Sequence, residues 1–166
     1  LREGDLTKIY SALAAVFLMA AVPAAVPMVP PGKATPVAHP YDEAADAHAA
    51  VAAAFAAARA SGHKVLLDFG GNWCPDCRML AGVLDLPQVH AWAAQHFETV
   101  YIDVGRFTKN KDIAATYGVK LTAAPTVLVV SADGTVLNRN DVFALADARS
   151  MSAQAVVTLL ASWSGS

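Results

Sequence analysis

The stretch "LLDFGGNWCPDCRML", Leu66 to Leu80, holds the only two cysteines of the chain, Cys74 and Cys77, beside Trp73 and just after a short apolar run. Two cysteines at this spacing can bind a metal, staple the fold or exchange disulfides. A staple between them would close a tiny loop and remove little chain entropy, because that effect grows with loop length. A structural zinc site wants four ligands, commonly two such pairs or one pair with a spaced histidine pair. Here there is one pair, and the nearest histidines, His90 and His96, are six residues apart, so on a helix they point in different directions. His39, His48 and His63 read as surface groups, and no metal ligand is assigned.

Redox chemistry explains more of the local pattern. "KVLLDFG", Lys64 to Gly70, is almost wholly apolar, as expected of a strand buried on both faces. The cysteine pair then opens a helix. Pro75 suits its first turn, where a missing N–H costs nothing, and Met79, Leu80, Val83 and Leu84 form its apolar stripe. A sulfur at that position meets free N–H groups and the helix dipole, which lower a thiol pKa from about 8.5 into the range of roughly 3.5–7.5. Cys74 is then the nucleophile, and Cys77, one turn in, can attack the mixed disulfide and release the substrate.

Working outward, Asp42 to Ala60 reads as an alanine-rich helix with Asp42 and Glu43 at its positive end, Val51 and Phe55 on one face and Gly62 as its stop. Beyond the cysteines, Pro87 starts a helical piece reaching about Phe97. Glu98 to Val104 is a second strand, and "KNKDIAATYGV" is a short helix ended by Gly118. Pro125 to Ser131 is a third strand, and "ADGT" turns it into "VLNRN" as an antiparallel hairpin. A last amphipathic helix from about Ser152 to Trp163 turns Val156, Leu159, Leu160 and Trp163 inward. The expected fold is α/β: a mixed four-stranded sheet flanked by helices on both faces.

The N-terminal part differs in kind. Ala12 to Val22 is an unbroken apolar run after Lys8, long enough for a signal-peptide core and short of the about 20 residues a bilayer span needs. Val22 and Ala24 are small residues at a −3/−1 spacing, whereas Arg2 and Lys8 are offset by Glu3 and Asp5. Residues 1–26 are therefore a signal peptide, an uncleaved N-terminal anchor or a plain tail. Lipoprotein processing needs a cysteine right after the run, and the first is Cys74, so a lipid anchor is excluded. Residues 27–41, with five prolines, are expected to be an extended linker outside the core, and 42–166 the domain. A net charge of −2 with Lys and Arg scattered singly argues against nucleic acid as a partner.

The segment around Cys74 and Cys77 resembles the active-site segment of the thioredoxin family, and the resemblance extends over about Ala44 to Trp163. Trp73 precedes the cysteine pair, Asp68 stands on the strand before it, "APTVLVV" opens a strand on Pro125, and "ADGTVL" is similar to the family's closing hairpin. The resemblance implies a thioredoxin-like thiol-disulfide oxidoreductase with no cofactor beyond a Cys74–Cys77 disulfide. In it Asp68 is a partly desolvated acid that moves the proton of Cys77. Pro125 sets its loop against Cys74, backbone groups of Ala124 pair with substrate as an added strand, and Trp73 is a contact surface beside the sulfur.

Several positions depart from the family. Pro75-Asp76 stands where thioredoxins carry Gly-Pro, and Asp76 is expected to add negative charge near the thiolate and favour a reducing protein. Gly70 and Gly71 replace bulkier residues and alter the rim of the site. "YGVKLTAAPT" is two residues longer than its counterpart, and the family's first strand has no clear equivalent. The implied partners are disulfide-bearing client proteins and a membrane electron relay that re-reduces an exported, periplasmic monomer. The alternative class is a metal-handling or docking module on the same fold, with both cysteines as soft ligands for copper or zinc.

Overall fold

Strand β1 (Lys64–Gly70) lies at the centre of the sheet and is buried along nearly its whole length. β2 (Phe97–Asp103) pairs with it in parallel from Lys64↔Phe97 to Gly70↔Asp103, and β3 (Thr126–Val130) pairs antiparallel from Val65↔Val130 to Phe69↔Thr126. A computed structural model of the chain describes residues 25–32 and 34–165. The apolar run Ala12–Val22, with its assignment as leader or anchor, lies outside the described residues, and among these no helix is long and apolar enough to cross a membrane.

Alternation along the strands divides the core. Leu66, Val127 and Val129 face a cluster supplied by α2 (Pro75–Leu84), α3 (Pro87–Ala93) and α5 (Ala153–Ser164). Val65, Leu67, Phe69, Val100, Ile102, Leu128 and Val130 face the other cluster, against which α1 (Ala47–Ser61) and α4 (Lys111–Thr116) pack. Helices thus cover both faces, as expected. The period of two also puts Asp68 and Gly70 on the same face as Leu66, towards α2.

Among the described residues the sheet has three strands in the order β2-β1-β3, not the expected four. After the "ADGT" turn a single bridge, Val130↔Val136, is all that forms. The reason is Asn138: its Oδ1 accepts from Val129 N at 2.9 Å and its Nδ2 donates to Val127 O at 2.9 Å, so a buried side-chain amide stands where a fourth backbone would have paired. Leu137 N donates to Val129 O and Val127 N to Val142 O, which completes the outer edge of β3.

Two boundaries also move. α1 begins at Ala47 rather than Asp42, because the Asp46 carboxylate caps it by accepting from Ala49 N at 3.0 Å, while Asp42 folds back on Ala44 N in a turn of its own. Its end is as read: Gly62 takes φ 82, a left-handed conformation that suits glycine. α3 stops at Ala93 because Phe97 already begins β2.

The proline-rich segment contains neither helix nor strand, as extended backbone would, yet it is strapped to the domain rather than hanging free of it. Val37 N donates to Arg78 O at 3.0 Å, Arg78 Nε donates to Val37 O at 3.1 Å, and Val29 N donates to Gln154 Oε1 at 2.7 Å. Ala34 is buried in the α2-side cluster. Gly82, in the last turn of α2, makes the seat: a Cβ there would stand 2.1 Å from Thr35 O. We expect Gly82→Ala to destabilise the protein by about 1–3 kcal/mol in urea unfolding, because overpacking at the strap outweighs the about 1 kcal/mol that alanine gains in a helix. A stabilised variant would show that the strap does not hold this position.

Candidate active site

The site is built where β1 hands the chain to α2. Cys74 is the N-cap of α2 in extended conformation, and its Sγ accepts from Cys77 N at 3.1 Å. Pro75 takes the first helical position, as expected. Cys74 and Cys77 form a disulfide, and both are buried. On the other side of the sulfur, the Ala124 carbonyl oxygen lies 3.3 Å from Cys74 Sγ, and the Ala124–Pro125 peptide is cis. The loop carrying Pro125 therefore does lie against Cys74.

Asp68 is fully buried on the α2-facing side of β1, in register with Tyr101. Burial pushes its carboxyl up to about 7, and the nearby Tyr41 hydroxyl holds it down. That approach falls short of a full hydrogen bond: neither Asp68 oxygen nor Tyr41 Oη has a partner of ordinary geometry among the described residues. Tyr41 and Tyr101 meet edge to face at 5.6 Å between ring centroids. Burial first and then the Asp68 charge raise both phenols above the usual tyrosine range, so both are protonated donors at neutral pH.

Trp73 is half-exposed and does two things at once. Its Nε1 donates to Gly105 O at 2.5 Å, Phe107 meets it edge to face at 5.8 Å, and the Arg106 guanidinium lies 5.1 Å from its ring centroid. The indole is thus docked on the loop after β2 and still presents a surface beside Cys74. Gly71 permits this fold-over, since a Cβ there would stand 2.4 Å from Trp73 Nε1.

Asp76 differs from its expected part. It is not a bare charge beside the sulfur: Oδ1 accepts from Arg149 N at 2.9 Å and Oδ2 from Arg149 Nε at 3.1 Å. The carboxylate is spent on the short 3-10 turn Ala148–Ser150, and the guanidinium neutralises it. Arg149 and Tyr41 are among the site neighbours that the sequence analysis did not single out. Arg149 carries no local signal. Tyr41 has one in retrospect, as the lone aromatic between Phe17 and Phe55, at the end of the prolines.

No three His, Cys, Asp or Glu side chains converge as metal ligands among the described residues. His48 and His63 are instead engaged with Asp112 and Glu98, at 2.7 and 2.9 Å.

Comparison with known proteins places the arrangement. Residues 46–132 match the family model described as thioredoxin-like. The crystal structure of a disulphide isomerase from Xylella fastidiosa Temecula1 is 42% identical, covering 74% of this chain and 94% of that one with a TM-score of 0.69. The oxidised C-terminal domain of DsbD from Neisseria meningitidis is 33% identical over 55% of this chain and 79% of that one, with a TM-score of 0.44. None of the curated proteins matches.

Two stability measurements check these contacts. Asp76→Ala leaves the Arg149 N–H without its acceptor and is expected to cost about 1–3 kcal/mol, whereas Arg149→Ala keeps that backbone bond and costs under about 1 kcal/mol; equal costs would mean that the backbone bond contributes nothing. For Asp68 the folded pKa lies above the unfolded one, so the folded state holds the extra proton between pH 4 and 7. Stability is then greatest below the unfolded value, falls as pH rises through that window and stays low above it. Asp68→Asn in the oxidised protein should therefore gain on the order of 4 kcal/mol over wild type at pH 8, a gain that vanishes by about pH 4. A constant difference across that range would contradict the assignment.

Proposed function

The chain belongs to the thioredoxin-like family, and on that premise we propose that it is a protein thiol-disulfide oxidoreductase that reduces client disulfides. The observation that carries the proposal is the pair itself: Cys74 caps α2 and receives the Cys77 N–H, with Cys77 in disulfide reach and the Ala124 carbonyl on its open flank.

In the reduced protein the Cys74 thiolate attacks a client disulfide. One Cys74–client sulfur bond forms, the client S–S bond breaks, and the departing client sulfur leaves with the electron pair and takes up a proton. Cys77 then loses its proton, attacks Cys74 Sγ and expels the second client thiolate. The client gains two electrons, and the Cys74–Cys77 dithiol becomes the disulfide. Asp68, raised to about 7, is matched to accept the Cys77 proton near neutral pH. The backbone of Ala124 can pair with an extended client segment beside the sulfur, with Pro125 and Trp73 as its flanks.

The direction we propose is reduction. Asp76 does not carry it, because Arg149 neutralises that carboxylate. What supports it is the company of Cys74: Tyr41, Cys77, Tyr101 and Ala124 pack around it, and none is a cation that would further acidify the thiol. Such a protein needs a source of electrons, and a membrane relay serving an exported monomer fits. The disulphide isomerase likeness supports protein clients. Export rests on the apolar run Ala12–Val22. The two reactive sulfurs and Asp68 lie on one chain, which supports action as a monomer.

The test is insulin reduction with dithiothreitol as electron donor. Wild type should accelerate it, Cys74→Ser should lose the acceleration entirely, and Cys77→Ser should accumulate a mixed disulfide with insulin on Cys74. Equal rates for wild type and Cys74→Ser, with stoichiometric copper or zinc uptake lost in that variant, would replace the proposal with a metal-handling role. A redox titration giving a potential near −120 mV, the value of a strong oxidant such as DsbA, would reverse the direction.

A further inference from the structure

Tyr41 belongs to the strap, outside the segment that matches the thioredoxin-like family model, yet its hydroxyl is sunk into the centre of the site. Three features put it there. Asn72, two residues before Cys74, grips its backbone from both sides: Tyr41 N donates to Asn72 Oδ1 at 3.0 Å and Asn72 Nδ2 donates to Tyr41 O at 2.9 Å. Gly70 leaves the room, since a Cβ there would stand 2.3 Å from Tyr41 Oη and 2.7 Å from Cys77 Sγ, so hydroxyl and sulfur close on the same point. The Asp68 carboxyl comes up from the same strand face, and Tyr41 packs in one cluster with Cys74 and Cys77. A phenol buried to 2% exposure without a formal hydrogen-bond partner is costly. Here its available neighbours are the resolving sulfur and the acid.

We propose that Tyr41 is the positioning residue through which Asp68 acts on Cys77, its hydroxyl passing the proton from the resolving thiol to the carboxylate. The inference deepens the oxidoreductase reading and rests on it. In the resolving step the Cys77 S–H proton moves to Tyr41 Oη as the phenolic proton moves to Asp68. Cys77 Sγ, now an anion, bonds to Cys74 Sγ, and the Cys74–client bond breaks with its electron pair on the client sulfur. Tyrosine ends as it began, and Asp68 ends protonated and returns its proton afterwards.

The titratable groups facing Asp68 are Cys74 and Cys77 from α2, Tyr41 from the strap and Tyr101 from β2, while β3 offers Val127. Farther out, Asp103 acts on Tyr41 and Asp85 on Tyr101, each raising the phenol. None of these is a cation, so the Tyr41 hydroxyl is what opposes the desolvation of Asp68. Its removal therefore moves the ionisation of Asp68 to higher pH.

The experiment mixes fully reduced protein with a small aromatic disulfide whose released thiolate absorbs light. The first thiolate reports attack by Cys74 and the second reports resolution by Cys77, and the ratio of the two rates is followed from pH 5 to 9. In wild type the ratio should rise with pH around a midpoint near 7, the value for Asp68. In Tyr41→Phe, which keeps the ring, the ratio at pH 6 should fall about a hundredfold, the low end for a lost proton-transfer group, and the midpoint should move up. In Asp68→Asn the rise should vanish, and adding Tyr41→Phe to it should change nothing further. An unchanged ratio and midpoint in folded Tyr41→Phe overturns the role of Tyr41 while leaving the oxidoreductase standing. Absence of the first thiolate in wild type overturns the oxidoreductase itself. If Tyr41→Phe fails to fold, Asn72→Ala, which loosens the anchor and keeps the hydroxyl, should lower the ratio by a smaller factor, and an unchanged ratio there also overturns the proposal.

Discussion

A carboxyl group with no exposed surface, set in the middle of the central strand, is the constraint around which the rest of the molecule is arranged. Asp68 sits among Leu66, Leu67 and Phe69, so its charge is heavily desolvated, and among the described residues no cation accompanies it. A site of this kind can exist only if the surrounding packing is rigid enough to refuse water and the local chemistry has some use for a proton near neutrality. Cys77, whose sulfur closes on Gly70 of the same strand face, supplies that use. Tyr41 and Tyr101 meet edge to face beside it, and both pack in the cluster that holds the two cysteines.

That arrangement draws the N-terminal strap into the site. Extended, proline-rich backbone is a good strap because it has lost part of its freedom before it docks and so costs less entropy to fix. It is held at Gln154 on α5, at Arg78 on α2 and at Asn72 in the loop before the cysteines. Glycines mark where it presses hardest: Gly82 under Thr35 and Gly70 under Tyr41. The absence of side chains at these positions is a packing requirement of the interior rather than a feature of the rim.

Much of this was legible from residue pattern alone, and the failures have common causes. The strand Lys64–Gly70, the helix opening on Pro75 and the stop at Gly62 follow from local rules of burial, capping and backbone geometry, which depend on neighbours in sequence, whereas the loop at Pro125 was legible through the family resemblance. The fourth strand failed because a side chain, Asn138, out-competed a backbone for the same hydrogen bonds. Asp76 was legible as a charge but not as half of a pair, since Arg149 is distant in sequence. Prolines at 27–41 signal extended chain and say nothing of where it lies, so the docking of Tyr41 was hidden with it.

The amide of Asn138 has one more consequence. An unfinished sheet edge is ordinarily an invitation for another chain to add on, and runaway stacking of such edges is how many β-containing proteins come out of solution. β3 is the most apolar strand of the three, "TVLVV", and so the most dangerous one to leave open. By occupying the N–H of Val129 and the carbonyl of Val127 with a group that cannot be extended, Asn138 works as a stopper against polymerisation on that side.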